Sequence, residues 1–287
     1  MMHYEIFCIF AANMEYTLNC NGKLLELNTP QVMGILNATP DSFYAGSRTQ
    51  TEQEIAERTQ QILGEGATII DVGACSTRPD SEPATEGEEM ERMRFALNIV
   101  RREAPEAVVS IDTYRPDVAR MTVEEFGADI INDVAGPVNF QTSTLEQQES
   151  MFRMVCRLGV PYIYMSRKAT MKEILLDCAE VVDKLRSMGQ KDIILDPGFG
   201  FGKTVEQNYA VMQELERMQM LHLPLLVGIS RKSMIYRLLG TTPEKSLNGT
   251  TMLNTFSLQK GADILRVHDV KEAVEVVKMY ASLVNSK

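Results

Sequence analysis

Asp192-Ile193-Ile194-Leu195-Asp196-Pro197-Gly198-Phe199-Gly200-Phe201-Gly202-Lys203-Thr204 is the stretch on which the reading of the fold turns. Ile193 to Leu195 form an apolar run of strand length, and Asp196 closes it. The glycines that follow let backbone pass close to a flat ligand, and Phe199 and Phe201 set aromatic faces beside that path. An aspartate at the end of a buried strand can accept hydrogen bonds from a heterocycle that carries N–H groups. The same aspartate could instead do no more than cap the next helix. The rest of the chain bears on that choice, because strand, polar residue, loop and helix recur in this order along it.

Gln31–Leu36, Ala67–Asp71, Ala107–Ile111, Asp129–Ile131, Val160–Tyr164, Asp192–Leu195, Pro224–Ile229 and Asp263–Leu265 all read as buried strands. Helical patterns follow them at Glu52–Leu63, Glu86–Glu103, Pro116–Phe126, Ser143–Leu158, Lys172–Met188 and Gln207–Met218. Broken helices come next, around Gly240-Thr241-Thr242-Pro243, and a closing helix at Lys271–Val284. Eight strands each followed by a helix predict an α/β fold, a parallel (β/α)8 TIM barrel. Asn21-Gly22 between two short alternating runs adds a short N-terminal β-hairpin. A doubly wound open sheet is the alternative, and its dinucleotide fingerprint is absent.

The chain of 287 residues is long enough for one large domain or two small ones. No composition break divides it, so residues 14–287 read as one domain behind a loose extension at residues 1–13. Met1, Met2 and Met14 are all candidate starts. A net charge of −10 argues against nucleic acid or an anionic membrane as partner, and no apolar run approaches the roughly 20 residues of a membrane span. Five scattered cysteines without a C-x-x-C pair argue against a disulfide framework or a zinc site. They point to a reducing compartment, and the expected location is cytoplasmic.

In such barrels chemistry sits at the C-terminal ends of the strands. Those ends carry Asn37, Asp71, Asp112, Asn132, Asp196, Lys232, Arg266 and His268. Asp112, Asn132 and Asp196 suit a guanidine- or amide-bearing ring, while Asn37, Arg78, Arg266 and His268 suit a phosphate. Plainer readings stand beside these. Asp71 could cap its turn, Arg231 could be a solvated cation, and Cys75 reads as a small packed side chain.

Met33-Gly34-Ile35-Leu36-Asn37-Ala38-Thr39-Pro40-Asp41-Ser42-Phe43 resembles the opening motif of the dihydropteroate synthase family. Ser76-Thr77-Arg78-Pro79, Ser110-Ile111-Asp112-Thr113, Ile130-Ile131-Asn132-Asp133-Val134, the Asp196–Thr204 loop, Gly228-Ile229-Ser230-Arg231-Lys232-Ser233 and Leu265-Arg266-Val267-His268-Asp269 resemble its later motifs, in order. The resemblance implies condensation of 6-hydroxymethyl-7,8-dihydropterin diphosphate with 4-aminobenzoate, giving 7,8-dihydropteroate and diphosphate in folate synthesis. It implies that Asp112, Asn132, Asp196 and Lys232 hold the pterin. Asn37, Arg266 and His268 would hold the diphosphate, with Asn37 also a ligand of Mg2+. Thr77, Arg78 and Pro79 would lie on a closing loop. Phe43, Pro79, Phe201 and Ser233 would shape the aminobenzoate pocket that sulfonamides mimic. Asp196, Lys232 and Arg78 are the expected catalytic residues, and a homodimer is the expected assembly. The chain departs from the family pattern at Ala45, where the family carries aspartate, and at Ser166–Thr170, where it carries a histidine and Arg-Gly. The loop after Thr170 is also shorter. Three other readings stay open: a divergent paralogue with weak activity, a pterin-dependent methyl-transfer barrel, and a pterin-binding protein without catalysis. Arg266-Val267-His268 argues against the methyl-transfer barrel, which needs no diphosphate site.

Overall fold

A computed structural model describes residues 16–38, 48–75, 84–134 and 145–286. The expected extension at residues 1–13, and with it Met14, lies outside these residues. The hairpin forms as expected, with β1 at Thr17–Cys20 antiparallel to β2 at Lys23–Glu26. Asn21 and Gly22 both have positive φ, 51° and 89°, the backbone of a primed two-residue turn.

Eight parallel strands follow: β3 (Gln31–Asn37), β4 (Ile69–Gly73), β5 (Val108–Asp112), β6 (Ile130–Asp133), β7 (Tyr162–Met165), β8 (Ile193–Asp196), β9 (Leu226–Val227) and β10 (Ile264–Val267). Their order is β8-β7-β6-β5-β4-β3-β10-β9, and a parallel bridge from Leu195 to Leu225 spans the remaining gap. The sheet is thus a nearly closed barrel. The helices around it are α1 (Arg48–Gly64), α2 (Glu86–Glu103), α3 (Pro116–Phe126), α4 (Leu145–Leu158), α5 (Met171–Ser187), α6 (Val205–Gln213), α7 (Ser233–Tyr236), α8 (Leu247–Gln259) and α9 (Val270–Asn285).

Two elements differ from expectation. The helix expected to reach Met218 ends at Gln213, and the chain tightens into a 3-10 turn over Leu215–Leu221. That turn stops at His222, which sits in the left-handed region at φ 51°. Strand β9 is only two residues long. Beyond it the chain turns back on itself, with Lys232 N–H donating to the Ile229 carbonyl at 3.1 Å and Arg231 held at φ 56°.

Two apolar layers build the core. The larger fills the space between barrel and helices. The smaller is a floor inside the barrel, where Met33, Ile69, Ile130, Ile163, Ile194, Leu226 and Ile264 meet Leu18, Cys20 and Leu27 of the hairpin segment. These barrel residues lie at the N-terminal ends of their strands, so the hairpin plugs that mouth. Leu18 and Leu27 are almost fully buried, each contributing about 1.5–3 kcal/mol by leaving water. The opposite mouth is left for the polar strand ends.

Candidate active site

Side chains on a strand alternate between faces, so the residues two positions beyond the floor also point inward. Among them are Asp71, Asn132, Asp196 and Arg266, following Ile69, Ile130, Ile194 and Ile264, and Ser110, following Val108 packed against the floor; Ile35, Met165 and Gly228 take the same position on the other strands. A polar layer therefore rests directly on an apolar one. Strand register then sets Asn37, Gly73, Asp112 and Asn132 side by side across β3 to β6. Gly73 keeps this row open. A Cβ there would lie 3.7 Å from both the Asn37 Oδ1 and the Asp112 Oδ2.

Arg266 is the hub of the layer. Its Nε donates to Asp71 Oδ2 at 2.6 Å and its Nη2 to Asp112 Oδ2 at 2.6 Å. Asn132 Nδ2 donates to the same Asp71 oxygen at 3.2 Å. Asp71 is wholly buried, so it does not cap an exposed turn but holds two site residues. Burial pushes the Asp112 carboxyl up to about 7, with Arg266 pulling it down and Asp71 adding to the rise. Two carboxylates share one guanidinium here, which is why the pairing does not fully offset the burial.

Asp196 closes β8 as expected and is 5% exposed. Its Oδ1 accepts from Gly198 N–H at 2.7 Å. The next helix is capped by Thr204 instead, in a capping box with Gln207, so Asp196 is not spent as a helix cap. Lys232 reaches over from the β9 loop to donate to the Phe199 carbonyl at 2.5 Å, with its ammonium 4.5 Å from the Phe201 ring centroid. Gly200 makes that path possible. Its φ is 80°, and a Cβ there would meet Lys232 Cδ at 2.9 Å. Burial raises the Asp196 carboxyl and lowers Lys232 to about 8, each opposed mainly by the charge of the other.

The glycine loop differs from its reading in one respect. Phe199 is wholly buried in the outer core and offers no face to the mouth. The positive-φ glycines Gly198, Gly200 and Gly202 break any two-residue alternation, so the two phenylalanines part company. Lys203, given no role from sequence, donates to the carbonyls of Gly198 at 2.9 Å, Phe201 at 3.3 Å and Ser166 at 3.5 Å. It ties the loop after β8 to the segment after β7. A lysine ending a glycine-rich loop was the available signal.

At the other edge, His268 Nδ1 lies 3.1 Å from Ser230 Oγ, and Arg58 of α1 donates to the His268 carbonyl at 2.7 Å. Desolvation and the Arg266 charge hold its imidazole below the ordinary range. Arg231 is no solvated cation: it makes a two-pronged pair with Asp269 at 2.9 and 2.7 Å. Ser233 opens α7 directly after Lys232. Burial pushes the Cys75 thiol up, the opposite of an activated nucleophile. In the departing segment Ser166 Oγ donates to Asp177 at 2.6 Å, and Thr170 caps α5 in a box with Glu173. Phe43, Ala45, Thr77, Arg78 and Pro79 lie outside the described residues.

The family described as pterin binding enzyme matches residues 33–268. A dihydropteroate synthase of Clostridium beijerinckii is 38% identical over 257 residues, covering 86% of this chain and 92% of its own. A Xanthomonas albilineans dihydropteroate synthase, solved with 4-aminobenzoic acid, superposes with a TM-score of 0.84 at 30% identity, over 95% of this chain and 99% of that one. The Yersinia pestis dihydropteroate synthase, solved as a sulfonamide drug complex, superposes at 0.80 with 32% identity, over 93% and 99%. With its barrel nearly closed and its acidic and cationic side chains gathered at one mouth, the chain belongs to the dihydropteroate synthase family of pterin-binding enzymes.

Proposed function

We propose that the protein is a dihydropteroate synthase, joining 6-hydroxymethyl-7,8-dihydropterin diphosphate to 4-aminobenzoate. The observation that carries this reading is the inward row of Asp112, Asn132 and Asp196, with Lys232 and Arg266 at its edges, on a dry apolar floor. Acceptors buried at that depth suit a flat ring rich in N–H groups, and the cations suit a carbonyl and an anion. Asp112, Asn132, Asp196 and Lys232 hold the pterin. Asn37, Arg266 and His268 hold the diphosphate at the rim.

The bond between the pterin methylene and the diphosphate oxygen breaks, and its electron pair leaves with diphosphate. The methylene carbon, stabilised as a delocalised ring cation, is attacked by the amine nitrogen, which then loses a proton to solvent. Asp196 lies where its carboxylate opposes the ring cation, and Arg266 faces the departing charge. No protein nucleophile is needed, in keeping with the half-buried, unactivated Cys75. The expected Arg78, Thr77 and Pro79, with Phe43, Phe201 and Ser233, serve the aminobenzoate side.

Among the described residues no three His, Cys, Asp or Glu side chains gather as a metal cage. Mg2+ keeps its waters and takes one or two protein oxygens plus phosphates; Asn37, with its side-chain oxygen toward the Asp112 side of the rim, would hold it. When bound, the ion offsets charge on the diphosphate. Among the described residues no helix is long and apolar enough to cross a membrane; scattered cysteines without a C-x-x-C pair support the cytoplasmic location. Exposed Met252 and Phe256 on α8 and Met279 on the neighbouring α9 support a homodimer. The test of the function is product identity. Mass spectrometry of a reaction with both substrates and Mg2+ is expected to show 7,8-dihydropteroate, and its absence with intact pterin binding would mean a binding protein.

A further inference from the structure

Resting on that reading, we propose that Asp71 is a positioning residue that fixes which way the Asn132 amide faces, and thereby makes the site select a ring with an amino group at its 2-position over one with oxygen there. Asp71 is wholly buried, and its Oδ2 accepts both from Arg266 Nε at 2.6 Å and from Asn132 Nδ2 at 3.2 Å. A carboxylate paired with a guanidinium offers only acceptors. Asn132, 1% exposed, must therefore turn its NH2 toward Asp71. The reverse orientation would set oxygen against oxygen between two buried side chains, where the low dielectric leaves that repulsion unscreened. The other end of the amide, Oδ1, is then presented as an acceptor.

Among the described residues that oxygen is buried without a hydrogen-bond partner, and so are Ser110 Oγ on β5 and Asp71 Oδ1 on β4. Buried polar groups are nearly always hydrogen-bonded. Three unpartnered ones on β4, β5 and β6, just above the apolar floor, mark a surface that a ligand completes. With Asp112 and Asp196 alongside, the surface is dominated by acceptors. It complements a ring edge bearing NH2 and ring N–H, and repels a carbonyl at the same place. Because one Asp71 oxygen also holds Arg266, the ring reader and the anion reader are positioned together.

The test is calorimetric titration with 6-hydroxymethylpterin and its 2,4-dioxo counterpart, 6-hydroxymethyllumazine. The unaltered protein is expected to prefer the pterin by about tenfold or more, the consequence of setting a buried acceptor against an oxygen. In Asp71→Asn the new amide offers a donor, Asn132 is free to turn over, and most of that preference is lost while thermal melting shows the variant folded. Asn132→Ala loses a similar share, and the double variant loses no more than either. Equal affinity of the unaltered protein for the two rings overturns the proposal. So does an Asp71→Asn variant that weakens both rings by one factor, the mark of a merely structural role. A measurement independent of any variant is hydrogen exchange of the Asn132 side-chain NH2 in the unliganded protein, where protection is expected and rapid exchange contradicts the bond to Asp71. Failure of the unaltered protein to bind either ring would overturn the proposed function itself.

Discussion

On the proposed function Asp196 would face a ring that becomes cationic as diphosphate departs, so its charge would matter most in the transition state. Asp196→Asn keeps the bond from Gly198 N–H but removes that charge. Turnover is expected to fall about 10²-fold or more, the scale of one preorganised electrostatic group, with pterin affinity falling far less. Unchanged single-turnover rates would reduce Asp196 to a loop fastener. On the proposed function Arg266 has two duties, since it pairs with Asp71 and Asp112 and would also meet the diphosphate. Arg266→Ala therefore weakens both the free hydroxymethyl pterin and its diphosphate. The diphosphate is expected to lose about ten- to a hundredfold more, the worth of a charge-assisted contact. Calorimetry with the two ligands reads the difference, and equal losses would remove Arg266 from the anion site.

The hairpin of β1 and β2 is the element that makes the mouth at the other end possible, because it closes the floor on which the polar layer rests. Leu18→Ala is expected to destabilise the fold by about 2–5 kcal/mol through the cavity it leaves. It should leave pterin affinity unchanged, since the hairpin side chains stop one layer below Asp71 and Asn132. Denaturant unfolding and calorimetry test the two halves, and a parallel loss of pterin affinity would contradict the layered description. Elements of this kind were legible in the sequence because their signals are local. Asn21-Gly22 marked the hairpin, Pro116 marked the start of α3, and the eight apolar runs marked the strands. Their polar ends gave Asn37, Asp112, Asn132, Asp196, Lys232, Arg266 and His268 by position alone. What stayed hidden depends on closure of the barrel. Asp71, a strand end that could equally have capped its turn, shows what it holds only when Arg266, 195 residues away, is brought against it. Phe199 and Phe201 look equivalent until three left-handed glycines send one into the outer core and leave the other beside Lys232. Arg231 looks solvated until Asp269, 38 residues on, meets it.

The whole molecule sets the charge state of the mouth, because the barrel walls desolvate every group in it. Asp112 is held up at about 7 and Lys232 down at about 8. If, as proposed, Asp112 and Lys232 hold the N–H-rich ring, binding needs Asp112 ionised and Lys232 protonated, so kcat/KM for the pterin substrate is expected to rise through about pH 7 and fall through about pH 8. Lys232→Arg should move the alkaline limb upward, since arginine does not titrate there. The sign for stability is separate. A carboxyl whose folded value is raised favours the fold most below its unfolded value and withdraws that support as pH rises toward about 7, so the Asp112 contribution falls across that window. A flat profile through neutrality would mean that neither group gates binding. On the proposed function this mouth couples departure of diphosphate to attack by an arylamine. The most direct measurement is diphosphate release from the pterin substrate in the presence of Mg2+, with and without 4-aminobenzoate. Release is expected to accelerate strongly with 4-aminobenzoate and to match dihydropteroate one for one, whereas pterin binding with no diphosphate release under either condition would contradict it.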